Sequence, residues 1–186
     1  MLYAFTQLAQ VLTVDQCRSV YYAYVQSLLL YGNLVWGGAS CNVLEPLAVT
    51  QRALIKIILK KGPRYPTNML FSEFRVFNIR QLFIKTVLMF VRQNISSLFT
   101  EVDHSYETRN RSNFGYQIPR LNFSFETGHS YYQIHTLYRN LPQDLRSKEG
   151  ESISSYKRRI SAWLTQIDLA TLEAIISSSY VQTRIT

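Results

Sequence analysis

Apolar residues recur along the first half of this chain at intervals of three and four. Thr13 and Gln16 have capping-box spacing. Val14, Cys17, Val20, Tyr21, Tyr24, Leu28 and Tyr31 then follow with helical period up to Gly32, a natural C-terminal cap. The pattern predicts one amphipathic helix of about five turns. The stretch Asn33 to Val43, with Trp36, Gly37, Gly38 and Ser40, reads as a tight connection carrying one aromatic plug. A second helix is expected from Leu44, because Glu45 suits the positive end of a helix dipole and Pro46 suits a first turn. It runs to Lys61 and stops at Gly62 and Pro63. Leu47, Leu54, Ile57 and Ile58 mark its buried stripe. A short helical turn at Phe71 to Val76 precedes a third long helix from Asn78, whose Ile79, Leu82, Phe83, Val87 and Phe90 repeat with helical period, while Arg80, Lys85 and Arg92 face elsewhere.

The pattern then changes. Residues 101–128 are polar, with Gly115, Pro119 and an alternating Leu121, Phe123 and Phe125, and predict a loop with at most one short strand. Tyr131, Ile134, Leu137, Tyr138 and Leu141 restore helical spacing until Pro142. After the polar interval Ser147 to Ser152, another amphipathic helix takes in Tyr156, Ile160, Trp163 and Leu164, with Lys157, Arg158 and Arg159 on its flank. An apolar, uncapped segment runs on to Tyr180, and the last residues, from Val181, are expected to fray.

Composition fixes the class. The 186 residues are 47% hydrophobic and 17% charged, which suits one compact domain or two small ones and excludes a chain disordered throughout. A net charge of +8 makes a polyanionic partner the first expectation, nucleic acid ahead of an anionic membrane. The charge is concentrated. Between residues 45 and 92, nine basic side chains (Arg52, Lys56, Lys60, Lys61, Arg64, Arg75, Arg80, Lys85 and Arg92) stand against Glu45 and Glu73, a net of +7. Arg52, Lys56 and Lys60 fall at i, i+4 and i+8, which on a helix spaces positive charges about 6 Å apart, near the spacing of successive phosphates. Lys61 and Arg64 extend the strip, giving a five-residue candidate nucleic-acid face that touches backbone and reads no sequence. The same lysines also suit an ordinary solvated helix face, and Lys60, Lys61 and Arg64 favourably oppose a helix dipole.

Other chemistry is sparse. Two cysteines do not make a disulfide framework, and Cys17, on an apolar face, is expected to be an inert buried thiol. The three histidines, His104, His129 and His135, do not combine with the cysteines into a metal-ligand spacing, so neither metal nor cofactor is expected. Tyr21, Tyr24, Tyr31, Trp36 and Trp163 read as core residues. The first residues lack the charge and cleavage pattern of a signal peptide, and the longest apolar runs fall far short of the ~18 residues of a membrane span. An intracellular protein is expected, nuclear or cytoplasmic. No two of the four aspartates lie close in sequence, and phosphate-loop, nucleophile-elbow and deaminase patterns are absent, so no catalytic residue is assigned.

Several strings carry a resemblance. Val20 to Gly38, in which a helix ending in Tyr31-Gly32 leads to a Trp36-Gly37 turn, resembles the stretch that follows the palm in reverse transcriptases of jockey-type non-LTR retrotransposons. Leu44 to Leu47, Gln51 to Leu59, and the "HSYxTRN" string at His104 to Asn110 follow in the family's order. Tyr138 to Pro142 and Ser155 to Ile160 are similar to its late "WNxLP" and "FKxxLK" segments, with Tyr138 where the family has Trp.

The resemblance covers about residues 2–164 and implies a thumb and post-polymerase region, the last part of a longer protein, whose helices lie along a primer-template duplex. The family's palm aspartates and its endonuclease domain have no counterpart in this chain, so polymerase activity is not carried over. The expected fold is mainly α: a helical thumb-like bundle over residues 1–100, a polar linker over 101–128, and a small helical region over 129–186. The expected partner is the backbone of an RNA/DNA duplex. A palm supplied in trans or self-association is the alternative, in which the chain is a non-catalytic helical interaction module.

Overall fold

A computed structural model of the protein describes residues 1–98, 130–146 and 150–181. It is mainly helical, with no strand among the described residues. The elements are α1 (Leu2–Val11), α2 (Val14–Val20), a π-helical segment (Tyr21–Gln26), α3 (Ser27–Leu30), α4 (Asn33–Trp36), α5 (Cys41–Ile58), α6 (Thr67–Phe74), α7 (Ile79–Leu98), α8 (Ser130–Asn140), a 3-10 turn (Gln143–Leu145), α9 (Ile153–Gln166) and α10 (Leu169–Val181). The expected linker 101–128, its short strand, the His104 to Asn110 string and His129 lie outside the described residues. The chain divides into two compact units, Met1–Phe83 and Ile84–Thr186, so the division falls within α7.

In the first unit α1 packs on α5 through Phe5 and Ala9, and α5 packs on α6. No periodic stripe announces α1, since Leu2, Tyr3 and Val11 are apolar and exposed. The capping box forms as expected: the Thr13 side chain accepts from the Gln16 backbone, and the Gln16 side chain accepts from the Thr13 N–H at 2.9 Å. The expected five-turn helix is interrupted, however, by the wider turns of Tyr21–Gln26. An i→i+5 turn advances more residues per revolution than an α turn, so the buried face shifts by one position. Cys17 and Tyr21 are buried as expected, but the stripe continues through Val25 and Leu29, while Tyr24 (56% exposed), Leu28 and Tyr31 (85% exposed) point outward. Gly32 is left-handed (φ 63°), the backbone that lets the chain turn directly into α4.

Gly37 has a different reason to be glycine. A Cβ there would lie 2.0 Å from Asn33 Oδ1 and 2.5 Å from the Phe83 ring. Its carbonyl and that of Ala39 accept from Arg80 at 3.1 and 2.7 Å. Arg80 is therefore a buried tie on the α4–α5 connection, whereas the sequence places it on an outward face. Trp36 is half-buried, its indole N–H donating to the Tyr31 carbonyl at 2.7 Å. At the unit's centre Tyr21 meets Phe74 edge-to-face at 5.4 Å, and its hydroxyl accepts from Gln51 Nε2 at 2.7 Å. Burial pushes the Tyr21 phenol up to about 12.

The second unit is built around Tyr156, Ile160 and Leu164 of α9, with α8 packed on α10. Ser152 caps α9 by accepting from the Ser155 N–H. Trp163 is half-buried, and the uncapped apolar segment forms α10. Val87 of α7 is buried as the periodicity predicts, but Phe90 is only half-buried and Leu88 and Val91 take the buried face beside it, up to a non-helical Asn94. Arg92 and Lys85 are half-buried; burial, then the charge of Lys157, lowers the Lys85 ammonium. Among the described residues, no helix is long and apolar enough to cross a membrane.

Candidate nucleic-acid interface

The five candidate cations arise where α5 ends and the chain turns into α6. Cys41 begins α5 one turn before the expected start, which leaves Pro46 inside the helix, and the helix ends at Ile58 rather than Lys61. Its stop is a Schellman loop. Lys61 N–H donates to the Lys56 carbonyl at 2.9 Å, Lys60 N–H donates to the Ile57 carbonyl at 3.2 Å, and Lys60 is left-handed at φ 54°. The usual occupant of that position is glycine, and Gly62, two residues later, is not needed for it. Lys60 is thus turned off the helix, and the expected i, i+4, i+8 stripe of Arg52, Lys56 and Lys60 is not formed.

The remaining cations have separate surroundings. Arg52 is paired with Glu45, two turns earlier on the same helix, at 2.6 Å. Lys56 Nζ donates to the Pro63 carbonyl and so ties the helix to the loop. Lys61 is held by Glu73 of α6 at 2.9 Å and lies 4.8 Å over the Tyr65 ring. The Tyr65 hydroxyl donates to the other Glu73 oxygen at 2.8 Å. These two bonds hold the Glu73 carboxyl below its ordinary range and raise both the Lys61 ammonium and the Tyr65 phenol. One carboxylate therefore pins both ends of the 59–66 loop. Lys60 and Arg64 are exposed on that loop, and neither is in an ion pair among the described residues.

The same loop form ends α6. Val76 N–H donates to the Phe71 carbonyl and Arg75 N–H to the Ser72 carbonyl, both at 3.3 Å, with Arg75 left-handed at φ 56°. The Arg75 carbonyl accepts from the Tyr22 hydroxyl at 2.8 Å. A basic residue thus sits at the negative end of each helix, where it opposes the dipole. What the unit presents is a basic knuckle, Lys60 and Arg64 with Lys56 behind them, in place of a helical stripe.

Several basic residues elsewhere are structural. Arg18 pairs with Asp15 at 2.7 Å and donates to the Phe74 carbonyl at 2.9 Å. Arg159 grips Glu151 through two nitrogens, at 2.6 and 3.1 Å. Cys17 is a buried thiol whose pKa burial raises, as an inert cysteine's should be. No group of three or more His, Cys, Asp and Glu residues is arranged to hold a metal ion among the described residues.

Two partners of the site were missed in the sequence. Glu45 lies seven residues before Arg52, a separation that puts both on one helix face and was there to be read. Glu73 is twelve residues from Lys61 across a loop, and no local period reveals that pair. Compared with protein-family models, with curated proteins and with solved structures, the chain matches none.

Proposed function

We propose that this chain is a non-catalytic, thumb-like segment that binds the sugar-phosphate backbone of a nucleic-acid duplex, in keeping with its resemblance to the region after the palm of jockey-type reverse transcriptases. The observation that carries the reading is Lys60. A charged side chain stands where the backbone favours glycine, at the tip of a loop braced by Glu73, with Arg64 beside it. Lys56, Lys60 and Arg64 would engage phosphates one by one, without base readout. About three such contacts predict a slope of log affinity against log salt near −2.7.

Fluorescence anisotropy of the full chain with a mixed-sequence RNA–DNA hybrid, between 50 and 200 mM salt, tests this. Binding should weaken with that slope, and Lys60→Glu with Arg64→Glu should abolish it. Arg52→Glu should change it less, because Arg52 is already paired. Salt-independent binding, or full affinity in the double variant, would sink the proposal.

A second reading, a protein-interaction module, is favoured by one feature. Tyr24, Leu28, Tyr31 and Val35 form an exposed apolar series along the π-helical segment, α3 and α4. A palm supplied in trans or a second copy of the chain would cover it. Sedimentation over a concentration series checks self-association, and a monomer at all concentrations removes the second copy.

A further inference from the structure

Glu73 sets a negative charge beside the basic knuckle, and by charge alone it should weaken binding to a polyanion. Its geometry argues the opposite. One carboxylate oxygen takes the Lys61 ammonium at 2.9 Å, and the other accepts from the Tyr65 hydroxyl at 2.8 Å. These two tethered residues enclose Gly62, Pro63 and Arg64, and Lys60 directly precedes the first of them. Bonds within the loop complete the frame. Lys61 N–H donates to the Lys56 carbonyl at 2.9 Å, Tyr65 N–H donates to the Gly62 carbonyl at 3.1 Å, and the Lys56 ammonium donates to the Pro63 carbonyl.

The chemistry of the brace needs a carboxylate. Its two oxygens accept from an ammonium and a hydroxyl together, whereas a side-chain amide offers one accepting oxygen and a nitrogen that only donates. Both bonds hold the Glu73 carboxyl ionised, below its ordinary range, so the brace is whole at neutral pH. What a braced loop supplies is preorganisation. Lys60 and Arg64 are exposed and carry long, rotamer-rich side chains, and fixing the backbone beneath them lowers the ordering cost of binding. A duplex, whose phosphates keep a fixed spacing, gains from cations held in place. A single strand adapts its own backbone to any set of cations and gains less.

We infer that Glu73 is a positioning residue of the knuckle: by pinning Lys61 and Tyr65 it presents Lys60 and Arg64 in one fixed arrangement, and so sets a preference for a duplex over a single strand. The inference rests on the duplex-binding reading above and adds to it the group that makes the site selective.

Glu73→Gln separates charge from position, because the two effects have opposite signs. It keeps the shape and one acceptor but loses the charge and the second acceptor. Fluorescence anisotropy of the full chain with a mixed-sequence RNA–DNA hybrid, and with its DNA strand alone, reads both. Loss of the brace should weaken hybrid binding roughly tenfold, the cost of ordering two cationic side chains, and leave the single strand within about twofold. Tyr65→Phe, which keeps the ion pair, should fall between the unaltered chain and Glu73→Gln. Without nucleic acid, the Lys61 amide should exchange faster in Glu73→Gln while circular dichroism stays unchanged, since Glu73 is exposed and its ion pair adds little to stability. Tighter hybrid binding by Glu73→Gln, with the salt slope steepened by about 0.9 as Lys61 becomes a further phosphate contact, overturns the inference. So does an equal loss for hybrid and single strand, and so does unchanged amide exchange. Each of these leaves the duplex reading standing. An unaltered chain that binds no hybrid sinks that reading and this inference together.

Discussion

Tyr21 in the first unit and Tyr156 in the second are both wholly buried, yet different chemistry holds them. Tyr21 meets an aromatic edge and a neutral amide. Tyr156 is flanked by two guanidinium groups, Arg159 at 5.2 Å and Arg92 at 5.5 Å, and its hydroxyl donates to the Leu145 carbonyl. The second unit therefore takes basic side chains into its own framework, where Arg159 also binds Glu151 and the carbonyls of Asp144 and Arg146. The first unit keeps Lys60 and Arg64 outside its core, on a loop. Net charge counted along a sequence treats all of these alike. The first unit's knuckle leaves Lys60 and Arg64 exposed, and on α9 of the second unit Lys157 and Arg158 are exposed as well.

The sharpest way to break this contrast is to remove Arg159. Arg159→Ala strips Glu151, whose side chain is 12% exposed, of its partner and leaves carbonyls unbonded. It should cost about 3 kcal/mol, as for other largely buried pairs, with no loss of duplex affinity. The two tryptophans separate the units: Trp36 reports the first and Trp163 the second, so denaturation of Trp36→Phe and Trp163→Phe backgrounds reads each alone. The Trp163 transition should move. An equal shift in both transitions, or a loss of binding, would remove the distinction between structural and available arginines.

A second contrast is set by pH. The first unit has no histidine, while His135 in α8 of the second is 1% exposed, and burial pushes its imidazole below the ordinary 6.5. The folded state then holds the neutral form, and the unfolded state takes up the proton first as pH falls. Stability from this site is complete above pH 6.5 and declines below it. The Trp163 signal should thus become more sensitive to denaturant between about pH 6.5 and 5, ahead of the Trp36 signal, since the Glu73 clamp of the same unit weakens only below the carboxylate's ordinary 4.5. In His135→Gln the two signals should lose this difference.

Much of the fold was legible because helical periodicity is a local property. The capping box at Thr13, the stripe of α7 as far as Val87 and the core face of α9 follow from spacing alone. Two departures share one cause, a backbone choice that the side-chain pattern does not encode. The π-helical turns after Val20 rotate later residues by one position, so Tyr24 and Tyr31 read as core and are not. The Schellman loop at Lys60 ends α5 before the Gly62-Pro63 signal, and the stripe read through Lys60 dissolves with it. The core face of α5 was half legible: Leu54 and Ile58 are buried as the stripe predicts, whereas Leu47 is exposed, Ile57 is half-buried, and Leu44, Gln51 and Ile55 are buried beside them.

The smallest effect bears on why Lys60 is there at all. In the second unit the described left-handed residue is Gly150, whereas the first unit places Lys60 and Arg75 in that conformation. A left-handed non-glycine residue costs about 1 kcal/mol or more, part of which a glycine returns through the greater freedom of its unfolded chain. Comparing Lys60→Gly with Lys60→Ala isolates this cost, because both lose the ammonium and its interaction with the helix dipole. Glycine should be more stable than alanine by about 0.5–1 kcal/mol in denaturation followed by Trp36. Duplex affinity should fall by the same factor in both variants. Stability would then track the backbone and binding the charge, so the knuckle carries strain that its cation does not relieve. Equal stability of the two variants would mean that the loop tolerates any residue, and Lys60 would lose its standing as a position held against local preference.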